Sequence, residues 1–296
     1  MQDFASAINN SLEGEQGVVL ATIIEAGGAW RPCTGQQMLV HENGETLGTL
    51  MLPDAPVGLT LQLIESAQKA ISTGKPHIEN VVARPASKPH FESDDQPNIE
   101  NVPGSANAWA EIFIEPFVPN PVLLIAGAGH IAAPLASLAH LMNFSVSVTD
   151  DRASFASRER FPTAKQLLVG DIESMLQNYP ITSRTHIVLV TRAHAHDVQG
   201  LRAIIDSPAA YIGMIGSQRR VWAVFKLLHE EGVPAEKLAR VRAPIGLDLG
   251  GSTPEEIALC IMAEIILLRH GGTGIAMSEP LRDRYMQRLK RLDQDL

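Results

Sequence analysis

The residues whose types and spacing suggest chemistry begin at Gly127-Ala128-Gly129-His130-Ile131-Ala132, a Gly-x-Gly-x-x-Ala turn that closes the apolar run Val122–Ala126. Each small residue has a separate job in such a turn. Gly127 lets the chain leave a strand sharply, Gly129 lets backbone approach a phosphate, and Ala132 lets the following helix pack closely on a sheet. The start of that helix offers unpaired N–H groups and a partial positive charge to an anion. About 20 residues on, Asp150-Asp151 ends the β-rich run Ser145–Thr149, where one acid is placed to accept hydrogen bonds from a ribose. Strand, glycine turn, helix, strand and acid follow one another in the order of a dinucleotide-binding fingerprint. The same order also suits a turn whose glycines only shape the backbone, because a fold does not fix its ligand.

Further polar residues follow other apolar runs and are expected at the same end of the sheet, beyond the C-terminal ends of its strands. Together with His130, Asp150 and Asp151 they are Arg152, Arg192, His194, His196, Asp197, Gly216, Ser217, Arg219 and Arg220. The pooled side chains make a partly cationic mouth on an acidic chain, which suits a phosphorylated ligand. His194 and His196, with Asp197 beside them, are either a metal pair or pocket-lining histidines beside a helix cap. They lack helical i, i+4 spacing and a third ligand, so no metal site is assigned. Arg219 and Arg220 at a helix start oppose the helix dipole, which favours an anion partner or plain surface charge. His130 at a helix start is expected to be a neutral hydrogen-bonding group. Cys33 lies beside Arg31 in a loop and reads as a reactive thiol or an ordinary loop cysteine. Cys260 sits mid-helix and reads as core.

The elements that must position these residues follow from periodicity. Ile131, Leu135, Leu138, Ala139 and Met142 recur at helical spacing after the glycine turn. Strands are expected at 167–169, 186–190 and 211–215. Helices are expected from Asp171 to about Tyr179, after Asp197 to about Ile205, through Glu231, and over 234–238. Thr253, Pro254 and Glu256 spell a capped helix start. The helix that follows, to Arg269, is apolar on nearly all sides and is expected to be buried. Upstream, residues 4–13 read as a helix, and Val18–Glu25, Gln37–His41 and Thr46–Leu52 as strands. Asn43-Gly44 marks a hairpin. Leu59–Thr73 reads as a helix with Gly74 past its end.

The expected architecture is α/β: a C-terminal Rossmann-like doubly wound parallel sheet with a smaller N-terminal α+β domain. The division is 1–83 for the N-terminal domain, 84–118 for a linker and connecting strand, 119–274 for the Rossmann-like domain, and 275–296 for a charged C-terminal helix. The linker reading rests on polar, proline-bearing sequence at 84–105. The length of 296 residues suits two domains. A net charge of −9 with no basic stripe argues against nucleic acid as a partner. The start lacks a signal-peptide pattern and no apolar stretch reaches membrane-spanning length, so the expectation is a cytoplasmic protein without a membrane partner. Two cysteines make neither a disulfide framework nor a metal motif.

Several of these segments, taken in order, carry a resemblance. Gly127–His130, Asp150–Arg152, Glu159-Arg160-Phe161-Pro162, Tyr211–Ser217, and Pro244–Asp248 with Thr253–Ala258 resemble the XdhC/CoxI family, across roughly residues 110–274. These are accessory factors of xanthine dehydrogenase and of molybdenum-containing CO dehydrogenase. The N-terminal segments Val19–Val40 and Ala67–Pro76 resemble the family more weakly. The resemblance implies a factor that binds molybdenum cofactor (molybdopterin), holds it during sulfuration, and passes it to an apo molybdenum hydroxylase. It implies a chaperone more than a catalyst. It also implies a cysteine desulfurase as partner and a homodimer. The chain departs from the family where cysteines are usual: Gly48–Pro53 and Pro103–Asn107 contain none. An NAD(P)-dependent oxidoreductase, with His194 or His196 as acid or base, is the alternative function.

Overall fold

The structure is a computed structural model that describes residues 4–14, 16–83 and 108–294. The expected linker at 84–105 and the cysteine-free segment at 103–107 therefore lie outside the described residues. The chain forms two compact units, Met1–Asn120 and Pro121–Leu296.

The first unit is a five-stranded antiparallel sheet in the order β3-β2-β1-β5-β4. The strands are β1 (Val18–Gly27), β2 (Gln37–His41), β3 (Thr46–Gly48), β4 (His77–Val82) and β5 (Trp109–Phe117). Strand β5, which reads in sequence as a connecting strand, sits inside this sheet between β1 and β4. Helix α1 spans Phe4–Glu13 and α2 spans Leu59–Thr73. The apolar stripe of α2 buries Leu59, Leu63, Ala67 and Ala70 in one core with Val19, Ala21, Ile112 and Ile114 of the sheet. Gly74 closes α2 in the left-handed conformation, with its N–H on the Ala70 carbonyl.

Three local expectations change here. The loop around Cys33 is a 3-10 helix, Gly28–Cys33, whose Trp30 is fully buried and donates to the Pro53 carbonyl at 2.7 Å. The return strand after the hairpin stops at Gly48 rather than Leu52. Gly48 has a φ of 86°, which turns the chain out of the ladder, and Leu52 joins the core. Strand β4 has no counterpart in the sequence reading, because His77-Ile78-Glu79-Asn80 carries little apolar pattern for an edge strand. It is pinned by the Ser66 hydroxyl, which lies 2.6 Å from Glu79 Oε1 and 2.7 Å from His77 Nε2.

The second unit holds a parallel sheet in the order β8-β7-β6-β9-β10-β11. Its strands are β6 (Val122–Ala126), β7 (Ser145–Asp150), β8 (Gln166–Val169), β9 (Thr185–Leu189), β10 (Tyr211–Met214) and β11 (Val241–Arg242). Counted from β6 as the first, this is the Rossmann order 3-2-1-4-5-6. Helices α3 (Ala132–Leu141) and α8 (Pro254–His270) share one core with Leu123, Ile125, Val146 and Val148. Helices α4 (Ile172–Gln177), α5 (His194–Ile204) and α6 (Gln218–Glu230) share a second with Leu124, Ala126, Ile187 and Leu189. A short α7 (Ala235–Leu238) and α9 (Glu279–Gln294) complete the unit. The alternation along β6 and β9 therefore feeds two layers, as a doubly covered parallel sheet requires.

The capping box at the start of α8 is formed: Thr253 accepts from the Glu256 N–H, and Glu256 accepts from the Thr253 N–H. The all-round burial expected of α8 is not found. Ala258, Ile261, Met262 and Ile265 face the core, whereas Leu259 and Leu268 are exposed. One helix lying on a sheet within a single chain is covered on one side only. His186 on β9 is buried against Phe144 and Tyr211. Burial and the nearby Arg269 charge push its pKa down to about 4, against a hydrogen bond to the Arg184 carbonyl that favours the proton.

Candidate functional site

The site is built where the strand order reverses. Strand β6 continues to β7 on one side, while β9 pairs with its other side, so a crevice opens at the C-terminal ends of β6 and β9. Gly127 stands at that point with a φ of 102°. Its N–H donates to the Thr149 carbonyl at 2.8 Å. A Cβ there would lie 2.6 Å from the Val190 carbonyl oxygen, so both the backbone angle and the neighbouring strand demand glycine. Around Gly129 a Cβ would meet nothing within 4 Å. Its role is therefore not to avoid a clash within the chain, and space is open at that position.

Both sides of the turn are held by charged groups. Asp150 is 3% exposed, and its Oδ2 accepts from the Ala128 N–H at 2.7 Å. Arg152 gives the same carboxylate its backbone N–H at 3.0 Å, its Nε at 2.8 Å and its Nη2 at 3.0 Å. Burial pushes the Asp150 carboxyl up, but these donors together outweigh it and hold the group well below the usual carboxylate range. Asp150, an expected ribose acceptor, is thus committed within the chain. Its two oxygens carry four donors, so the acid that could still face a ligand is Asp151. Arg152 is likewise engaged, and it stacks on Phe155 with 3.5 Å from its guanidinium carbon to the ring centre.

Arg160 closes the other side. Its Nη1 donates to the Ala128 carbonyl at 2.7 Å and its Nη2 to the Gly129 carbonyl at 3.3 Å. In sequence Arg160 appears only as part of a motif. The signal that bears on its role is the flanking Phe155 and Phe161, both within cation–π range of its guanidinium. The N–H groups of Gly129 and His130 donate to no acceptor among the described residues. Helix α3 starts at Ala132 after an Ile131 cap position that has no side-chain hydrogen bond. Pro134 falls at the third helical position, where no N–H is needed. The His130 side chain is exposed.

The next two loops are tied to each other. Asp197 is fully buried and accepts from the Thr191 hydroxyl and from Arg220 Nε at 2.6 Å. Arg220 also reaches the Thr191 carbonyl at 3.3 Å. Asp197 is not a helix cap: the cap position of α5 is Ala193, without a side-chain bond, and Asp197 turns inward one turn later. Burial pushes the Asp197 carboxyl up, and Thr191 and Arg220 pull it back only in part. Arg220 is therefore held by the protein, while Arg219 is exposed and carries no ion pair among the described residues. Arg192 is half exposed and leans on Asp151 at 2.6 Å. Ser217 caps α6 by accepting from the Arg220 N–H, and Gly216 precedes it. His194 is exposed and His196 half-buried. No group of three or more His, Cys, Asp or Glu among the described residues is arranged to hold a metal ion.

The two cysteines lie elsewhere. Cys33 is buried in the first unit, with its thiol 3.1 Å from the Met51 carbonyl, which does not suit a reactive loop thiol. Cys260 is buried on α8 beneath the glycines at 246 and 251. What the crevice end offers is backbone amides without acceptors, exposed guanidinium groups and one accessible acid. That set suits a phosphorylated ligand.

Residues 123–265 match the family described as the XdhC Rossmann domain. Over those residues the second unit is similar to the XdhC Rossmann domain. The XdhC match takes in the glycine turn, Asp150, Arg160, Asp197 and Arg219. The chain is 28% identical over 263 residues to the uncharacterized protein YqeB of Escherichia coli, covering 88% of this chain and 45% of that protein. It is 35% identical over 158 residues to a Bacillus subtilis protein described as a probable xanthine dehydrogenase subunit, covering 53% of this chain and 46% of the relative. It is 23% identical over 298 residues to the molybdenum cofactor insertion chaperone PaoD of E. coli, covering 88% and 86%. The chain thus spans about half the length of the first two relatives. A solved structure described as a xanthine dehydrogenase from Bacillus halodurans aligns with a TM-score of 0.49 at 20% identity, covering 95% of this chain and all of that one.

Proposed function

We propose that this chain is an accessory factor for a xanthine dehydrogenase-type molybdoenzyme, binding molybdenum cofactor and assisting its insertion. The observation that carries the reading is the XdhC match over residues 123–265. The relatives named for xanthine dehydrogenase and for cofactor insertion support it. The crevice supports it independently. The Gly129 and His130 amides, with Arg192 and Arg219, would hold the cofactor's phosphate, and Asp151 would meet a polar edge. The cofactor, when bound, supplies a pterin whose dithiolene carries the molybdenum. The chain's own part is to grip the anionic end and release it to an acceptor.

An NAD(P)-dependent reading is weaker at one point. Of the two acids a bound ribose could use, Asp150 already has its donors inside the protein, which leaves Asp151 alone. The finer parts of the proposal are sulfuration while the cofactor is held, a cysteine desulfurase as the sulfur source, a homodimer and a cytoplasmic setting. Cys33 and Cys260 are both buried, which favours a sulfur relay carried by the desulfurase rather than by these thiols.

The test is to purify the protein without oxygen from a host that makes molybdenum cofactor and release its small molecules. Mass spectrometry and pterin fluorescence then identify them. Stoichiometric molybdopterin is the expected result. NAD(P) with no pterin would overturn the proposal.

A further inference from the structure

We infer that Arg160 is a positioning residue for the anion site, charging the glycine turn from behind without touching the ligand. This rests on the proposed phosphate-binding role of the turn and adds a residue to it. Arg160 acts through the two backbone atoms it holds in the turn. Its guanidinium donates to the carbonyls of Ala128 and Gly129. Those carbonyls belong to the same two peptide groups as the N–H of Gly129 and the N–H of His130. These are the amides that find no acceptor among the described residues. A hydrogen bond to a peptide carbonyl polarises that peptide and strengthens its N–H as a donor, and linked bonds reinforce one another where the local dielectric is low.

The charge balance points the same way. Arg160 has no carboxylate partner among the described residues, unlike Arg152, Arg192, Arg202 and Arg220. Its other partners are the Phe155 carbonyl at 3.3 Å and the faces of Phe155 and Phe161. The positive charge is therefore not cancelled locally and remains available to an anion across the turn. Asp150 supports the geometry from the opposite side. By accepting the Ala128 N–H it fixes that peptide, so the two free amides that follow are held in one orientation. The turn is a preorganised donor pair, and Arg160 sets both its direction and its strength.

Arg158 provides an internal control. It lies two residues away, is exposed, and donates to the Ala164 carbonyl, not to the turn. The experiment uses the full chain without cofactor and reads two things. Backbone amide shifts of Gly129 and His130 are recorded by NMR, and affinity for inorganic pyrophosphate is measured by calorimetry. Arg160→Gln should move both amide protons upfield and weaken pyrophosphate about 10-fold. Arg160→Lys should recover part of both effects, and Arg158→Gln should change neither. If Arg160→Gln does not fold, the lysine variant carries the test through the His130 amide, whose carbonyl contact is the longer one. Unchanged Gly129 and His130 shifts in a folded Arg160 variant would overturn the inference. Pyrophosphate failing to bind the unaltered protein would count against the phosphate site instead, while the amide shifts would still decide the role of Arg160.

Discussion

Asp150 and Asp197 are both buried carboxylates at the crevice end of one sheet, and each is paired with an arginine. They respond to burial in opposite ways. Asp150 is held well below the usual carboxylate range, whereas Asp197 is pushed up from its ordinary value. The number and kind of donors make the difference. Asp150 receives two backbone N–H groups and a two-pronged guanidinium; Asp197 receives a hydroxyl and a guanidinium, with no backbone amide. A buried charge is stabilised by satisfied donors, and one arginine alone does not offset desolvation.

The largest expected effect is at Asp150. Asp150→Ala should cost about 3 kcal/mol or more in denaturant unfolding, because it strands the Ala128 N–H and the Arg152 guanidinium. Asp197→Asn should cost less, about 1–2 kcal/mol, since removing its charge also removes a desolvation penalty. If Asp197→Asn proves the costlier change, the comparison fails.

Acid unfolding sharpens the same contrast. A depressed folded pKa gives stability that is present above the unfolded value and lost as pH falls below it, so Asp150 contributes to loss of stability below about pH 4. A raised folded pKa has the opposite sign: Asp197 makes the folded protein bind the proton more tightly, so its contribution improves as pH falls. Removing Asp150 should flatten the acid limb, and removing Asp197 should steepen it. His186 has to be separated first. Its folded pKa of about 4 makes it destabilising as pH falls from about 6.5, by about 3 kcal/mol when fully protonated. His186→Phe should remove that part of the limb, as read from unfolding curves between pH 4 and 7.

The smallest effect is at a single donor. Thr191→Val takes one hydrogen bond from Asp197 and should cost about 1 kcal/mol. It should also raise the Asp197 titration further, which NMR of the carboxyl carbon would detect.

Much of the second unit is legible in the sequence because its signals are local. The apolar run of β6, the turn glycines, the Asp171 cap and the Thr253 capping box each declare themselves within a few residues. Two of the edge strands, β4 and β11, are not legible in the same way. Strand β11 has two residues, and β4 breaks any alternation with Glu79-Asn80 followed by Val81-Val82, so neither has a pattern to read. The site is legible as a place and less so as a set of roles. An acid at the end of β7 looks the same in sequence whether it awaits a ribose or holds an amide 22 residues earlier. Arg160 is hidden for the same reason, since its partners are backbone carbonyls about 30 residues away. Asp197 looks like a cap because its neighbours suggest a helix start, and only the fold reveals that it points inward to Arg220.

The contact between position 127 and the Val190 carbonyl also bears on how this surface changes over evolutionary time. The turn after β6 and the loop after β9 share a boundary with no room for a side chain. Neither can be lengthened or rebuilt at that boundary while the other stays as it is. New ligand preferences in such a protein should therefore arise by exchanging exposed residues such as Arg192 and Arg219, with the seam between the two loops inherited as one piece.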